Sequence, residues 1–308
     1  MNNSLVSVII PTYNRTDYVE EAILSAINQT YRNIEIIVCD DNAQKPLVRK
    51  SIVDICSKYP MVRLILNEKN LGGSLNRNEG IKAAKGELIS FLDDDDVYLP
   101  TRIEKVVEMY MQHKDEKIGI IYTNAYYTDD ELNIKSLSRS VPTNNPLYKH
   151  MQNCLAPTSQ WTVPKKAFED VGLFEDTPCK QDSIMLLKIL GAGYGALYIE
   201  EPLSYFRMRL SGRISSNHSA HIIGESNYAN FLRRYYHLLT TEQVRTVESG
   251  IHRRFLQTYS SIGKKGKALF EASLICKNTG ITSLTLRDIM YLFFSPQFYT
   301  KFKNLLRK

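Results

Sequence analysis

Four short apolar runs in the first hundred residues constrain the fold of this chain most: Val6 to Ile10, Ile34 to Cys39, Val62 to Leu66 and Leu88 to Leu92. Each is too short for a helix that must bury a stripe, and most are rich in β-branched residues. Their apolar character is nearly continuous rather than alternating, the pattern of a strand covered on both faces. Helical spacing fills the gaps. Tyr18 to Asn28 carries Val19, Ala22, Ile23 and Ala26 on one face, and Val48 to Lys58 and Asn76 to Lys85 follow. Strands alternating with helices imply a parallel, doubly wound sheet. Such sheets bind ligands at the carboxyl ends of their strands. Here those ends carry Pro11-Thr12-Tyr13-Asn14, then Asp40-Asp41, then Asp93 to Asp96.

The rest of the chain reads less regularly. Gly119 to Ala125 and Trp161 to Val163 are expected as strands, with helices over Lys165 to Val171 and Asp182 to Leu190. Ala196 to Ile199 and Leu203 to Arg207 are expected as two late strands. Thr128 to His150 is polar and punctuated by Pro142 and Pro146, and reads as a long loop or lid. From about Ile222 the pattern is helical, without a strand signal.

Charge separates the two ends of the chain. Net charge is +6, yet from Lys264 onward nine Lys or Arg oppose only Glu271 and Asp288, a local +7 that leaves the remainder near −1. A protein built to grip nucleic acid would spread that charge over its body. Five scattered cysteines without a Cys-x-x-Cys pair read as reduced thiols of a cytoplasmic protein. The start, MNNSLVSVIIPTYN, has no basic and apolar leader. No stretch reaches the roughly 18 apolar residues of a membrane span.

Three constellations could carry chemistry. Asp93-Asp94-Asp95-Asp96 either forms an exposed acidic turn or gathers around a divalent cation, since carboxylates crowded at a strand end repel unless neutralised. Hard cations such as Mn²⁺ or Mg²⁺ would suit such oxygens and could bridge two phosphates. Thr12, Tyr13, Asn14 and Arg15 open a helix, whose N-terminus suits a nucleotide's polar edges; Thr12 or Asn14 could equally be a plain cap. Asp40-Asp41-Asn42 is either a turn or an acceptor for a base and a ribose. Arg77, after the Asn70-Leu71-Gly72-Gly73 turn, could reach a phosphate or a surface acid. Neither the G-x-G-x-x-G nor the P-loop spacing is present.

Taken together and in order, these segments resemble the family 2 glycosyltransferases with the GT-A fold, of the bacterial surface-polysaccharide type. The matching residues are Val6-Ser7-Val8-Ile9-Ile10-Pro11-Thr12-Tyr13-Asn14-Arg15, Ser25 to Tyr31, Ile34 to Asp41, Asn70-Leu71-Gly72, Arg77-Asn78-Glu79-Gly80, Gly86-Glu87 and Leu92 to Asp96. A looser second half includes Phe168 to Phe174, Gln181-Asp182, Glu201-Pro202-Leu203 and Tyr205-Phe206-Arg207, ending near Ser216. The resemblance implies a Rossmann-like, doubly wound mixed sheet with a helical C-terminal extension. Residues 1–217 would form the catalytic domain, with a nucleotide half to about 100 and an acceptor half after it, and 218–308 the extension. It implies nucleotide-sugar contacts from Pro11, Thr12, Tyr13, Asn14, Arg15, Asp40, Asp41, Arg77, Asp93 and Asp94, and a Mn²⁺ or Mg²⁺ on Asp93 and Asp95. Asp182 takes the place of the general base, though it could also cap its helix. Gln181 departs from the Glu usual before it. The donor implied is a nucleotide diphosphate sugar, a UDP-sugar first, and the acceptor a glycan or lipid-linked saccharide.

The tail, Tyr291 to Lys308, interleaves aromatics with Lys and Arg. It reads as a segment lying on an anionic membrane surface, making the protein peripheral on the inner face, or as a helix packed on the domain. Rival functions fare worse. A nucleotidyltransferase needs an early basic Gly-rich loop where this chain has Pro-Thr-Tyr-Asn-Arg. A non-catalytic, sugar-binding scaffold would tolerate loss of Asp95 or Asp182, and both are present.

Overall fold

The computed structural model describes residues 4–140, 142–208, 218–280 and 284–293. In chain order, β1 (Val6–Thr12), α1 (Val19–Ile27), β2 (Ile34–Asp40), α2 (Pro46–Ser57), β3 (Val62–Leu66), α3 (Gly72–Ala83) and β4 (Leu88–Phe91) form the alternating first part. β5 (Val97–Tyr98), α4 (Arg102–Gln112), β6 (Ile118–Thr128), β7 (Ile134–Leu137), α5 (Pro146–Gln152), β8 (Trp161–Pro164), α6 (Lys165–Val171), α7 (Gln181–Gly191) and β9 (Gly195–Arg207) follow.

The strands join in the order β3-β2-β1-β4-β8-β6-β9-β5, with β7 added to β6. β3, β2, β1 and β4 are mutually parallel. β8 runs antiparallel to both β4 and β6, and β9 is parallel to β6, so the sheet is mixed. Side chains alternate between faces along a strand, and both faces are covered here. Val6, Val8 and Ile10 join Ile36 and Val38 against α1, α2 and α4. Ile9, Ile37, Ile89 and Phe91 meet Trp161, Phe168, Phe174 and α7 on the other face. Two covered faces explain the unbroken apolar runs.

Three segments differ from the sequence expectation. The polar stretch 128–150 is not one loop: Ile134–Leu137 pairs back on Tyr126 to Thr128, and Pro146 begins a helix. All four residues of β7 are exposed, so they carry no burial pattern to read. The two late strands are one, Gly195–Arg207; its register with β6 shifts around Asn124 and Pro202, which absorbs a proline that cannot donate to the ladder. α3 starts at Gly72 rather than Asn76, because the Asp41 carboxylate accepts the Leu71 and Gly72 N–H groups and Gly72 takes φ +78°.

By its contacts the chain divides into two units, 1–150 with 154–176 and 181–211, and a second of 151–153, 177–180 and 212–308. In the second, α8 (His218–Arg234), α9 (Thr241–Ser261), α10 (Lys265–Thr279) and α11 (Leu286–Phe293) are helical. Leu256, Ala272 and Ile275 form its core, with Leu284, Tyr291 and Leu292 packed on them. α9 opens on a capping box between Thr240 and Gln243. Buried Glu225 is satisfied by Arg254 and Lys180, both at 2.8 Å. No described helix is long and apolar enough to cross a membrane. The basic segment from Ser295 to Lys308 lies outside the described residues.

Candidate active site

The parallel strands deliver four polar turns to one edge of the sheet. β1 ends at buried Thr12, beside Asp94, with Pro11 still in the strand opposite Cys39. Tyr13 follows half-open, with Lys45 Nζ 4.7 Å from its ring centre. Asn14 sits at φ +56°, a backbone region that Asn tolerates well, and its N–H donates to Asn42 Oδ1 at 2.7 Å. This bond ties the β1 turn to the β2 turn.

Asp40 and Asp41 serve that scaffold. Asp40 is fully buried and accepts from Arg49 Nε and Asn42 Nδ2, each at 2.6 Å. Its side chain therefore presents no surface to a base or ribose; it shapes the turn instead. Asp41 accepts from Leu71 N at 2.8 Å, Gly72 N at 2.9 Å and Asn67 Nδ2 at 2.9 Å. Unmet amides at a helix start are costly, so these bonds hold the opening of α3 in place.

α3 then ties together three parts of the site with consecutive side chains. Asn76 donates to the Cys39 carbonyl at 2.9 Å and accepts from Asn67 at 2.8 Å. Arg77 donates to Asp93 Oδ1 at 2.5 Å and to the Gly73 carbonyl at 3.1 Å. Asn78 exchanges two 2.9 Å hydrogen bonds with the backbone of Phe174. The α3 helix can approach β1 this closely because Gly80 carries no side chain; a Cβ there would lie 2.5 Å from Ile9 Cγ2.

The acidic turn after β4 is held by three guanidinium groups. Arg15 Nη1 lies 2.7 Å from both Asp94 Oδ1 and Asp95 Oδ2. Arg15, expected at the nucleotide sugar, and Arg77, expected at a phosphate or an acid, both rest on the acids themselves. Burial pushes the Asp94 carboxyl up to about 6 despite Arg15. Burial, with repulsion from Asp95 and Asp93, holds the Asp96 carboxyl well above the usual carboxylate range. Asp93, 28% exposed, and Asp95, 15% exposed, are the more open pair.

Two residues here had no role assigned from the sequence: Ser159 carried no signal, and Arg207 stood only within the Tyr205-Phe206-Arg207 match. Ser159, in the turn that leads into β8, accepts the Asp93 N–H at 3.1 Å. Arg207, at the end of β9, donates to the Asp95 carbonyl at 2.8 Å and the Asp130 carbonyl at 3.0 Å. It also pairs with Glu21, packs over the Tyr18 ring at 4.3 Å, and gives its own N–H to Asp96 Oδ1 at 3.0 Å. It is a charged clamp on the acidic turn, built from strands some 110 positions apart in the chain.

Asp182 lies in the first turn of α7, whose far end packs on β6. β6 starts beside the end of α7, where Gly119 comes so close that a Cβ would be 2.4 Å from Ile189 Cγ2. Helix α7 begins at Gln181 after Lys180 at φ +63°, so Asp182 sits inside the first turn rather than capping it. Its Oδ1 accepts from Ser183 N at 2.7 Å and Ser183 Oγ at 3.3 Å. A carboxylate there is also favoured by the helix dipole.

The chemistry of this donor set suits a hard divalent ion. Asp93 and Asp95 offer only oxygens, and Mg²⁺-like ions are held by one or two carboxylates, with phosphate and water completing the shell. No cluster of three or more His, Cys, Asp or Glu forms a ready cage among the described residues.

Residues 7–176 match the family model described as Glycosyl transferase family 2. The chain is 32% identical over 227 residues, 72% of its length and 84% of the other's, to an Escherichia coli protein, UDP-Glc:alpha-D-GlcNAc-diphosphoundecaprenol beta-1,3-glucosyltransferase WfaP. It is also 32% identical over 259 residues to an uncharacterized glycosyltransferase of Rickettsia conorii, of which it spans only 40%. Among solved structures it is similar to S. aureus TarS in complex with UDP-GlcNAc, with TM-score 0.57 and 17% identity over 89% of this chain and 88% of that one. The mannosyltransferase PcManGT from Pyrobaculum calidifontis, solved with GDP-Man and Mn²⁺, is similar at TM-score 0.53, over 93% and 78%.

Proposed function

The chain belongs to glycosyl transferase family 2 and has the GT-A fold, and from that premise we propose that it transfers a sugar from a UDP-sugar to an acceptor hydroxyl with inversion. What supports this reading is the presence of acids in two different settings in a chain of this family. The turn of Asp93 and Asp95 is braced by Arg15, Arg77 and Arg207, and Asp182 stands apart at the start of α7.

Each residue then has a role. Tyr13 offers an open ring face for the base, and Asn14 fixes the turn beside it. A Mn²⁺ or Mg²⁺ held by Asp93 and Asp95 would neutralise the growing charge of the departing nucleoside diphosphate. Arg15 and Arg77, already at the acids, lie where they can also steady the phosphates. Asp182 takes the proton of the acceptor hydroxyl as its oxygen attacks the anomeric carbon. A base on the far side of the sugar from the leaving group gives a single displacement.

The nucleoside is tested by ligand stabilisation. With Mn²⁺ present, saturating UDP-sugars should raise Tm by several degrees, since ligand at 100 times Kd adds about 2.7 kcal/mol. A rise with GDP-sugars and none with UDP-sugars would overturn the assignment.

The E. coli relative's name gives it a diphosphoundecaprenol-linked acceptor. A lipid-linked acceptor here would be met at a membrane, and the Ser295 to Lys308 tail has the charge for it. Full-length protein is expected to co-sediment with anionic liposomes at low salt, and a chain ending at Phe294 to bind less. Full-length protein that ignores such liposomes would remove the membrane contact.

A further inference from the structure

We propose that His150 is a positioning residue for Asp182, holding the first turn of α7 through Ser183. The proposal rests on the reading of Asp182 as the base. His150 is fully buried within the segment whose sequence reads as a loop. Its Nδ1 faces the Leu155 N–H at 3.4 Å, and its Nε2 lies 2.8 Å from the Ser183 carbonyl oxygen. An N–H donor on one side and a carbonyl on the other select one neutral tautomer, with the hydrogen on Nε2. His150 therefore donates to Ser183.

Ser183 is the residue whose N–H and hydroxyl both donate to Asp182 Oδ1, at 2.7 and 3.3 Å. Tying the Ser183 carbonyl from the side thus fixes the amide and hydroxyl that orient the carboxylate. The first turn of a helix has the fewest internal bonds to resist such movement. A base displaced by about 1 Å forfeits on the order of 100-fold in rate. The same sequence with an untethered turn would keep the acid and lose its aim.

The test is a set of variants read by kcat, KM and donor binding. His150→Leu keeps a buried apolar side chain and removes the donor. It is expected to lower kcat for transfer by about 10- to 100-fold, with donor Kd unchanged. His150→Gln, whose amide can still donate to Ser183, should recover most of the loss. In an Asp182→Asn background, His150→Leu should add little, because both changes remove one function.

Wild-type kcat in folded His150→Leu overturns the proposal, as does a full further loss on top of Asp182→Asn. If His150→Leu does not fold, His150→Asn replaces it, since its short amide can meet Leu155 but not Ser183. An active Asp182→Asn enzyme would instead remove the base assignment, which separates the two failures.

Discussion

Asp182→Asn enzyme is expected to bind its nucleotide sugar within a few-fold of wild type while losing about 10²- to 10⁴-fold in transfer, the usual worth of a general base. Asn has nearly the same shape and retains an oxygen to accept the Ser183 N–H bond, so the first turn of α7 should survive. What it cannot do is take a proton. Steady-state transfer with donor and acceptor varied, set beside donor binding measured directly, separates the two effects. An Asn variant with wild-type transfer would show that the base lies elsewhere. Glu175 and Asp176 are then next in line, although Glu175 is already paired with Lys188 at 2.7 Å.

Asp95→Ala should cost at least about 100-fold, the size of losing a charge stabiliser at a leaving group. The protein is expected to remain folded, because Arg15 keeps its 2.7 Å partner Asp94 and Arg207 grips the residue 95 carbonyl rather than its side chain. The sharper readout is binding. UDP alone should still stabilise the variant, but the extra stabilisation from adding Mn²⁺ should vanish. Near-normal transfer by the wild-type chain in the presence of excess chelator would remove Asp95 and Asp93 as metal ligands.

A doubly wound sheet was legible in the sequence because burial on both faces of β1, β2 and β4 leaves nearly continuous apolar runs, while the family and its mixed GT-A sheet were legible only through the ordered motifs that resemble it. The acids at the strand ends were legible for the same reason. A strand of about five residues must stop where polar residues begin, so Asp40 and Asp93 could be placed at the sheet edge before any coordinates.

What the sequence could not show is which way each polar side chain turns. Arg15 read as a nucleotide-sugar contact and Arg77 as a partner of a phosphate or an acid, and both rest on Asp93 to Asp95; Asp40 read as a turn or a nucleotide contact, and Arg49 and Asn42 enclose it. Asp182 read as a helix cap or a base, and only the left-handed turn at Lys180 puts it within α7. The ion pairs among these depend on partners 9 to 79 positions away in the chain, from Arg49 on Asp40 to Arg15 on Asp94. Apolar burial is a property of a segment and leaves a periodic trace. A hydrogen bond or ion pair is decided by two groups that tertiary packing alone brings within about 3 Å. So the chain by itself determined the sheet, its edge and the acids upon it, while the folded arrangement decided which of those acids are braced, which are enclosed and which stay more open.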